Sequence, residues 1–371
     1  MLAVRHIAAN TLYQIIARVF SSGSSFLITL IIIRHFEFSG YGDFAKVTAL
    51  VTLFYLIVDF GFNAMFLQDD ENKVHFRDLF YSRLIISTFL VILVNGIALF
   101  LPYNPDTGVG FSPFVRLGIL IFSFTIISQS MLVTASAIFQ RELTYKFYMW
   151  ANIAGSILTL GLVWIFSIFS YNLLYIFLAF LVGVTMQGLL ALLFTKELVF
   201  PIGLNISYVK KLVRDTLPIT LILVFNLIYF RIDMILLSLF RPGTDVAVYD
   251  FSFKVFDFLI ALPLFLSNSL YPSILSDVKN NQKIAKAKEY VFFFILSSFF
   301  VIIPMWFIAP LFSLFKHELI EVVVPLRILL ISLPVFFGTN ILQWLLIAMK
   351  RQKLLAQVYL FSLILNVALN V

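Results

Sequence analysis

The chain has no cysteine, which excludes disulfide bonds and thiolate metal sites. Only 12% of its 371 residues are charged, whereas about a quarter of the residues in an ordinary soluble domain are charged. Its four histidines are scattered outside the apolar segments, and no two have the spacing of metal ligands. The sequence also lacks a glycine-rich phosphate loop and a polar segment long enough for a soluble catalytic domain. We therefore expect no resident cofactor, no enzymatic activity, and no transport driven by ATP hydrolysed in this chain.

Hydrophobic residues make up 61% of the chain, and phenylalanine alone occurs 44 times. A soluble fold has too little interior to bury so much apolar surface, whereas a bilayer removes that need. Since about 20 helical residues cross the hydrocarbon core, the apolar segments predict an all-α, polytopic integral membrane protein with about eleven spanning helices. The predicted spans are Leu12–Ile33, Phe44–Phe66, Tyr81–Leu101, Phe114–Phe139, Phe147–Phe169, Leu173–Thr195, Leu217–Phe240, Val246–Tyr271, Tyr290–Phe312, Val322–Met349 and Leu354–Val371.

Lysine and arginine are distributed unevenly between successive loops. The N-terminal stub and the loops after the even-numbered spans hold 17 of the 26 basic residues, with Lys73, Arg77 and Arg83 assigned to the loop after the second span. Cytoplasmic loops of membrane proteins are enriched in these residues, so the N-terminus is predicted to be cytoplasmic. The same enrichment explains the net charge of +7, and no nucleic-acid partner is expected.

The two halves of the chain share a weak internal repeat. Tyr41 precedes Lys46 after the first span, and Tyr249 precedes Lys254 after the seventh, with the same spacing. Chance similarity between two apolar stretches is the alternative explanation. Two six-helix bundles are a common transporter architecture, and eleven spans leave the second bundle one helix short, so we expect a further helix beyond Val371. The predicted parts are an N-terminal bundle (residues 1–195), a cytoplasmic linker (196–215) and an incomplete C-terminal bundle (216–371).

Five charged residues fall within the seventh and eighth spans. Charges inside a membrane are costly, and by default they mark a pathway, a partner or a substrate. The three in the eighth span are spaced i, i+4 and i+7, so they share one helix face. The sequence leaves two explanations open, namely a functional site in a cavity and an ion-pair network that only holds helices together. These residues are Arg231, Asp233, Asp250, Lys254 and Asp257.

The first half carries a different polar pattern. Polar residues that include Gln14 and Arg18 recur at helical spacing along the first span, and Asp59 lies within the second. Arg34 and Lys46 lie near the predicted outer ends of these spans. Such a stripe suits a helix that lines a hydrated cavity, although interhelical hydrogen bonding would produce it too. Cations in a cavity suit an anionic group such as a diphosphate, and carboxylates suit a coupling proton or sodium ion.

The most specific motif is Arg231-x-Asp233, followed by Val246-Ala247-Val248-Tyr249 and then Lys254. Together with Tyr41-Gly42 and Asp59-Phe60-Gly61, it resembles the polysaccharide-biosynthesis flippases, the Wzx-type O-antigen repeat-unit transporters. These belong to the superfamily that includes MATE multidrug exporters and lipid II flippases. One departure is Phe36-Glu37-Phe38-Ser39, where family members usually show a leucine-glycine step.

The resemblance implies a MATE-like fold with a central cavity that opens alternately to each side of the bacterial inner membrane. The implied cargo is an oligosaccharide carried on undecaprenyl diphosphate for O-antigen or capsule synthesis. Membrane lipids, a polysaccharide polymerase and a chain-length regulator are the other implied partners. The implied diphosphate-binding cations are Arg231 and Lys254, with Arg34, Lys46 and Arg18 as further cavity residues. The candidates for H⁺ or Na⁺ coupling, or for charge balance, are Asp59, Asp233, Asp250 and Asp257.

Two other functions stay open at the level of sequence. A MATE-type cation-coupled drug antiporter has the same architecture, although the intramembrane cations argue against a cationic cargo. A membrane-embedded polysaccharide polymerase or glycosyltransferase is a different class, and it would be expected to carry a large outer loop that this sequence lacks.

Overall fold

The computed structural model is almost entirely helical, which confirms the predicted all-α class. In the described residues, the only strands are β1 (Tyr103–Asn104) and β2 (Val109–Gly110), which pair in an antiparallel hairpin. Contacts divide the chain into two compact units, Met1–Thr244 and Asp245–Val371. The described residues are 2–59, 61–68, 76–169, 172–197, 213–214, 216, 220, 231–263, 266–267, 270, 274, 283–349 and 351–370.

The first unit packs long helices around a core of aromatic and aliphatic side chains. Within it, Phe44 stacks on Phe177, and Phe122 meets Phe177 edge to face. Residues 231–240 are helical and belong to this unit. Its named elements are α1 (Leu2–Asp59), α2 (Phe62–Gln68), α3 (Phe76–Phe100), β1 (Tyr103–Asn104), β2 (Val109–Gly110), α4 (Pro113–Ser123), α5 (Thr125–Arg141), α6 (Tyr145–Phe169) and α7 (Leu174–Thr195).

The second unit is built around two long helices that pack on each other, α9 (Lys283–Ile308) and α10 (Val323–Ala348). Ser252 donates to the carbonyl of Val322 at 3.3 Å, and Ser267 donates to the amide oxygen of Asn340 at 2.6 Å. These bonds satisfy polar groups within an otherwise apolar unit. Its elements are α8 (Gly243–Ile260), which begins at the end of the first unit, α9 (Lys283–Ile308), two 3₁₀ turns (Ala309–Leu314 and His317–Val322), α10 (Val323–Ala348) and α11 (Gln352–Asn370).

Seven helical stretches of the described residues are long and apolar enough to cross a membrane. The predicted count of about eleven is a rough fit. Helix α1 covers the first predicted span and most of the second, and most of the seventh lies outside the described residues. The eighth and eleventh predicted spans are not among the seven stretches. Large apolar side chains such as Phe100 and Phe300 point outward, as expected for surfaces that face lipid. The seven stretches are Ala9–Asp59, Phe76–Phe100, Pro113–Arg141, Tyr145–Phe169, Leu174–Thr195, Lys286–Leu314 and His317–Ala348.

The predicted linker, residues 196–215, lies mostly outside the described residues. The contact pattern instead separates the two units at Thr244 and Asp245, within the first turn of α8. The division into residues 1–195 and 216–371 therefore stays a prediction.

A single strained residue, Glu37, divides the long helix α1 into two segments. Its backbone has φ 60° and ψ −177°, a region that is essentially restricted to glycine and costs a residue with a side chain about 1–3 kcal/mol. This is the stretch where the sequence departs from the leucine-glycine step of the family that it resembles. The strain therefore lies at the point where the first predicted span gives way to the second.

Replacing Glu37 with Gly is expected to raise the free energy of unfolding by about 1 kcal/mol, because relief of the strain exceeds the entropy that glycine adds to the unfolded chain. Thermal unfolding in detergent measures the change. Glu142→Gly is the matched control, because Glu142 is exposed and has an ordinary φ of −93°, so the same substitution there only adds chain entropy. Equal losses of stability in both variants would contradict the assigned strain.

Candidate functional site

The second predicted span is broken near its end. Helix α1 ends at Asp59, Gly61 has a φ of 70°, and α2 begins at Phe62. Only glycine adopts that backbone conformation without steric cost. The break leaves carbonyl groups at the end of α1 that need partners from outside the helix.

Arg83 of α3 occupies the break. Its Nη2 lies 2.9 Å from the Asp59 carboxylate oxygen Oδ1, and it also donates to the Asp59 carbonyl at 3.3 Å. The same nitrogen donates to Oδ1 of Asn63, in the first turn of α2, at 2.7 Å. Nη1 donates to the hydroxyl of Thr134 in α5 at 3.4 Å. One guanidinium therefore links four helices, with Arg83 fully buried and the Asp59 side chain 37% exposed.

Arg83 was assigned from sequence to a cytoplasmic loop, and that assignment is wrong. The structure places it inside α3 with no exposed surface, and its guanidinium also lies over the ring of Phe62. A cation at the edge of an apolar run normally flanks the membrane, but here Asp59 neutralises it. The sequence signal for this ion pair was Asp59, an unmatched carboxylate in the preceding span. The remaining loop cations keep the same asymmetry, and a cytoplasmic N-terminus stays a prediction.

Asn63 extends the network to a further hydroxyl. Its amide nitrogen donates to Ser136 of α5 at 3.2 Å, so both sides of the break are attached to the same helix, α5. Elsewhere in the first unit, Asn95 donates to Ser123 at 2.9 Å. The Asn95–Ser123 hydrogen bond joins two helices through uncharged side chains. The Asp59–Arg83 pair is thus the charged member of a set of interhelical polar contacts.

Lys46 lies in the packed interior near the β hairpin. Its side chain is 1% exposed, and Nζ donates to the carbonyl of Gly110 at 2.7 Å. Arg116 supports the other end of the hairpin by donating to the carbonyls of Leu101 at 2.6 Å and Phe111 at 3.2 Å. In this structure the Lys46 ammonium is engaged by backbone, so contact with a cargo anion would require that bond to open.

Two of the predicted cavity cations, Arg18 and Arg34, are exposed on α1. Gln14 is exposed as well, which continues the polar stripe, whereas Asn10 is 5% exposed and accepts a hydrogen bond from the Tyr145 backbone at 2.9 Å. The exposed part of the stripe suits water, and its inner end caps the start of α6. The contact of Arg18 and Arg34 with the cargo stays a prediction.

In the second unit, Asp250 and Lys254 form an ion pair along α8. Lys254 Nζ lies 2.9 Å from Asp250 Oδ2, and both side chains are largely buried. Asp257 is half-buried further along the same helix. Arg231 and Asp233 are half-buried in the helical residues 231–240 of the first unit. A joint cluster of all five residues stays a prediction.

Comparisons with known proteins agree with the fold. A family model described as "polysaccharide biosynthesis protein" matches residues 7–276, and a second model, MatE, matches residues 218–371. No curated protein matches the sequence. Among solved structures, "Lipid II flippase MurJ, inward closed conformation" shares 16% identity with a TM-score of 0.73, over 96% of this chain and 79% of that chain.

A second similar structure is an inward-facing multidrug resistance MATE family transporter of the MOP superfamily. It shares 15% identity with a TM-score of 0.62, and the alignment covers 96% of this chain and 83% of that chain. At this level of identity the likeness establishes the fold alone. It confirms the MATE-like architecture predicted from the motifs.

Proposed function

Because the chain belongs to the polysaccharide biosynthesis protein family, we propose that it is a flippase for oligosaccharide units linked to undecaprenyl diphosphate. The family match over residues 7–276 is the observation that carries this proposal. The multi-pass helical fold, shared with membrane transporters, supports it. The proposed location is the bacterial inner membrane with the N-terminus in the cytoplasm, and the proposed direction is from the inner to the outer leaflet.

Charge complementarity supports the proposed mode of binding. A diphosphate presents several anionic oxygens, and cations with charge-assisted hydrogen bonds hold such groups most strongly. Arg231 supplies a planar fork of donors, and Lys254 supplies an ammonium that Asp250 keeps neutralised until phosphate oxygens compete for it. Arg18, Arg34 and Lys46 are proposed as further contacts along the path. The cycle is proposed to be coupled to H⁺ or Na⁺, with a polymerase and a chain-length regulator as protein partners.

The alternative is a MATE-type cation-coupled drug antiporter. The observation that favours it is the MatE model, which matches residues 218–371. This alternative predicts resistance to cationic compounds on overexpression and an unchanged surface glycan on deletion. The flippase proposal predicts no resistance to cationic compounds on overexpression and a loss of surface glycan on deletion.

Replacing both Arg231 and Lys254 with Ala is expected to lower surface glycan at least about tenfold. A hydrogen bond to a charged group contributes about 1.5–3 kcal/mol, which corresponds to about 10- to 100-fold in binding. Lectin labelling of cells that carry the variant in place of the native chain measures the effect at matched protein level. Lys288→Ala is the control, since Lys288 is an exposed cation of α9. Export at the native level in the double variant would contradict the proposed role.

A further inference from the structure

Arg83 connects the two helices on either side of the break in the second span. On the α1 side it contacts both the carboxylate and the backbone carbonyl of Asp59. On the α2 side it contacts the side-chain oxygen of Asn63. The contacts come from the same nitrogen, Nη2, so the orientation of one guanidinium sets the relation between the end of α1 and the start of α2.

Charge neutralisation alone does not explain these contacts. An ion pair needs one carboxylate oxygen, whereas Arg83 also engages a backbone carbonyl and two neutral side chains, Asn63 and Thr134. Its buried Nε has no hydrogen-bond partner among the described residues, which is a cost that a purely stabilising contact would avoid. A rigid, planar fork suits the bridging of several acceptors at fixed angles, and a lysine ammonium does not reproduce it.

Asp59 is held at the surface of this network. Its side chain is 37% exposed while its partner Arg83 is fully buried. If the carboxylate gave up its charge, it would leave a buried guanidinium without a counter-ion, which is a strongly unfavourable state. The 2.9 Å pairing therefore makes Asp59 the counter-ion of Arg83.

We propose that Arg83 is a positioning residue for transport, which fixes the break between α1 and α2 and orients the exposed carboxylate of Asp59. Asp59 then acts as the permanent counter-ion of Arg83 and not as the group that exchanges a coupling ion. The inference rests on the proposed transport function for its activity measurement, and on the geometry of the break for its structural measurement.

Two variants separate positioning from neutralisation. Arg83→Lys keeps the positive charge but loses the bridging fork. The double variant Asp59→Asn with Arg83→Gln removes both charges, so it leaves no buried ion unpaired and is expected to fold. In both, lectin-detected surface glycan is expected to fall at least about tenfold at matched protein level, because each loses the geometry that only arginine supplies. Asn95→Ala is the matched control, because it removes an uncharged interhelical bond from the same helix, α3.

A second measurement reports the break without reference to cargo. Because the chain has no cysteine, Leu67→Cys places a single thiol in α2, at a half-buried position. Its rate of reaction with a water-soluble maleimide, in membranes opened to both sides, is expected to rise about tenfold in the two Arg83 variants, since loosening α2 increases solvent access. The rate in Asn95→Ala is expected to stay at the level of the parent.

The outcomes are distinguishable. Faster labelling together with lost export supports the positioning role. Native export in the double variant overturns the positioning role, because Asp59 and Arg83 then serve only to neutralise each other. An unchanged rate of maleimide labelling in the two Arg83 variants overturns it as well. If deletion of the whole protein leaves surface glycan intact, the proposed function fails, while faster labelling would still establish Arg83 as the residue that fixes the break.

Discussion

Replacing Asp59 with Asn is expected to lower the free energy of unfolding by about 3–5 kcal/mol, because removal of one partner strands a buried charge. The stranded group is Arg83, which is fully buried and lies 2.9 Å from the carboxylate in the native chain. The partial exposure of Asp59 does not reduce this cost, since the charge left behind is the buried one. Denaturation of the purified protein in detergent measures the loss.

The control for this prediction is Asp106→Asn. Asp106 is exposed in the turn of the hairpin, so its substitution is expected to change stability by less than about 0.5 kcal/mol. The double variant Asp59→Asn with Arg83→Gln is expected to regain most of the loss, because it leaves no unpaired ion. An Asp59→Asn variant as stable as Asp106→Asn would show that Arg83 does not depend on this carboxylate.

Replacing Gly42 with Val is the second substitution with a large expected effect. A Cβ atom at Gly42 would overlap the carbonyl group of Gly243 and lie 2.8 Å from the Gly243 Cα, closer than real Cβ atoms approach backbone. Both residues belong to the first unit, where β2 also bridges Pro242 through Val109. Since backbone cannot rotate away as a side chain can, the two segments must separate, at a cost of about 1–3 kcal/mol or more.

Thermal unfolding of Gly42→Val measures this cost, and Gly23→Ala is the matched control. A Cβ at Gly23 meets nothing within 4 Å, so alanine there is expected to be neutral or to stabilise α1 by up to about 1 kcal/mol through its higher helix propensity. If Gly42→Val unfolds at the temperature of the parent, the close approach to Gly243 is not a constraint on the native state.

Much of the helical architecture follows from the sequence because a membrane span needs a long apolar run. Two predicted spans have both boundaries within two residues of the observed helices. They are Phe147–Phe169, which corresponds to α6 (Tyr145–Phe169), and Leu173–Thr195, which corresponds to α7 (Leu174–Thr195). Hydropathy does not determine how one span is joined to the next. The strained kink at Glu37, which separates the two segments of α1, therefore had no sequence signal except the absence of the usual glycine.

The polar sites were harder to predict, because tertiary pairing determines them. Asp59 was singled out as a charge within a span, but its partner Arg83 was assigned to a loop, since a cation beside an apolar run usually marks the interface. Lys46 was expected near an outer opening, yet it lies buried against the carbonyl of Gly110 in a short hairpin. A hairpin of two-residue strands leaves almost no pattern in the sequence.

The intramembrane charges of the second half were predicted as one cluster, and the structure resolves one part of it. The i, i+4 spacing of Asp250 and Lys254 forms the expected ion pair along α8. The binding roles of Arg231 and Lys254 stay a prediction, which the double Ala substitution addresses.

Translocation by the purified protein tests the flippase function most directly. Vesicles with an undecaprenyl-diphosphate-linked oligosaccharide in one leaflet report the fraction that becomes accessible to an external sugar-cleaving enzyme, in the presence of a proton or sodium gradient. The native chain is expected to move the lipid across, and the Arg231→Ala, Lys254→Ala variant is expected to move it at least about tenfold more slowly. Accessibility equal to that of protein-free vesicles, for the native chain under both gradients, would contradict the proposed function.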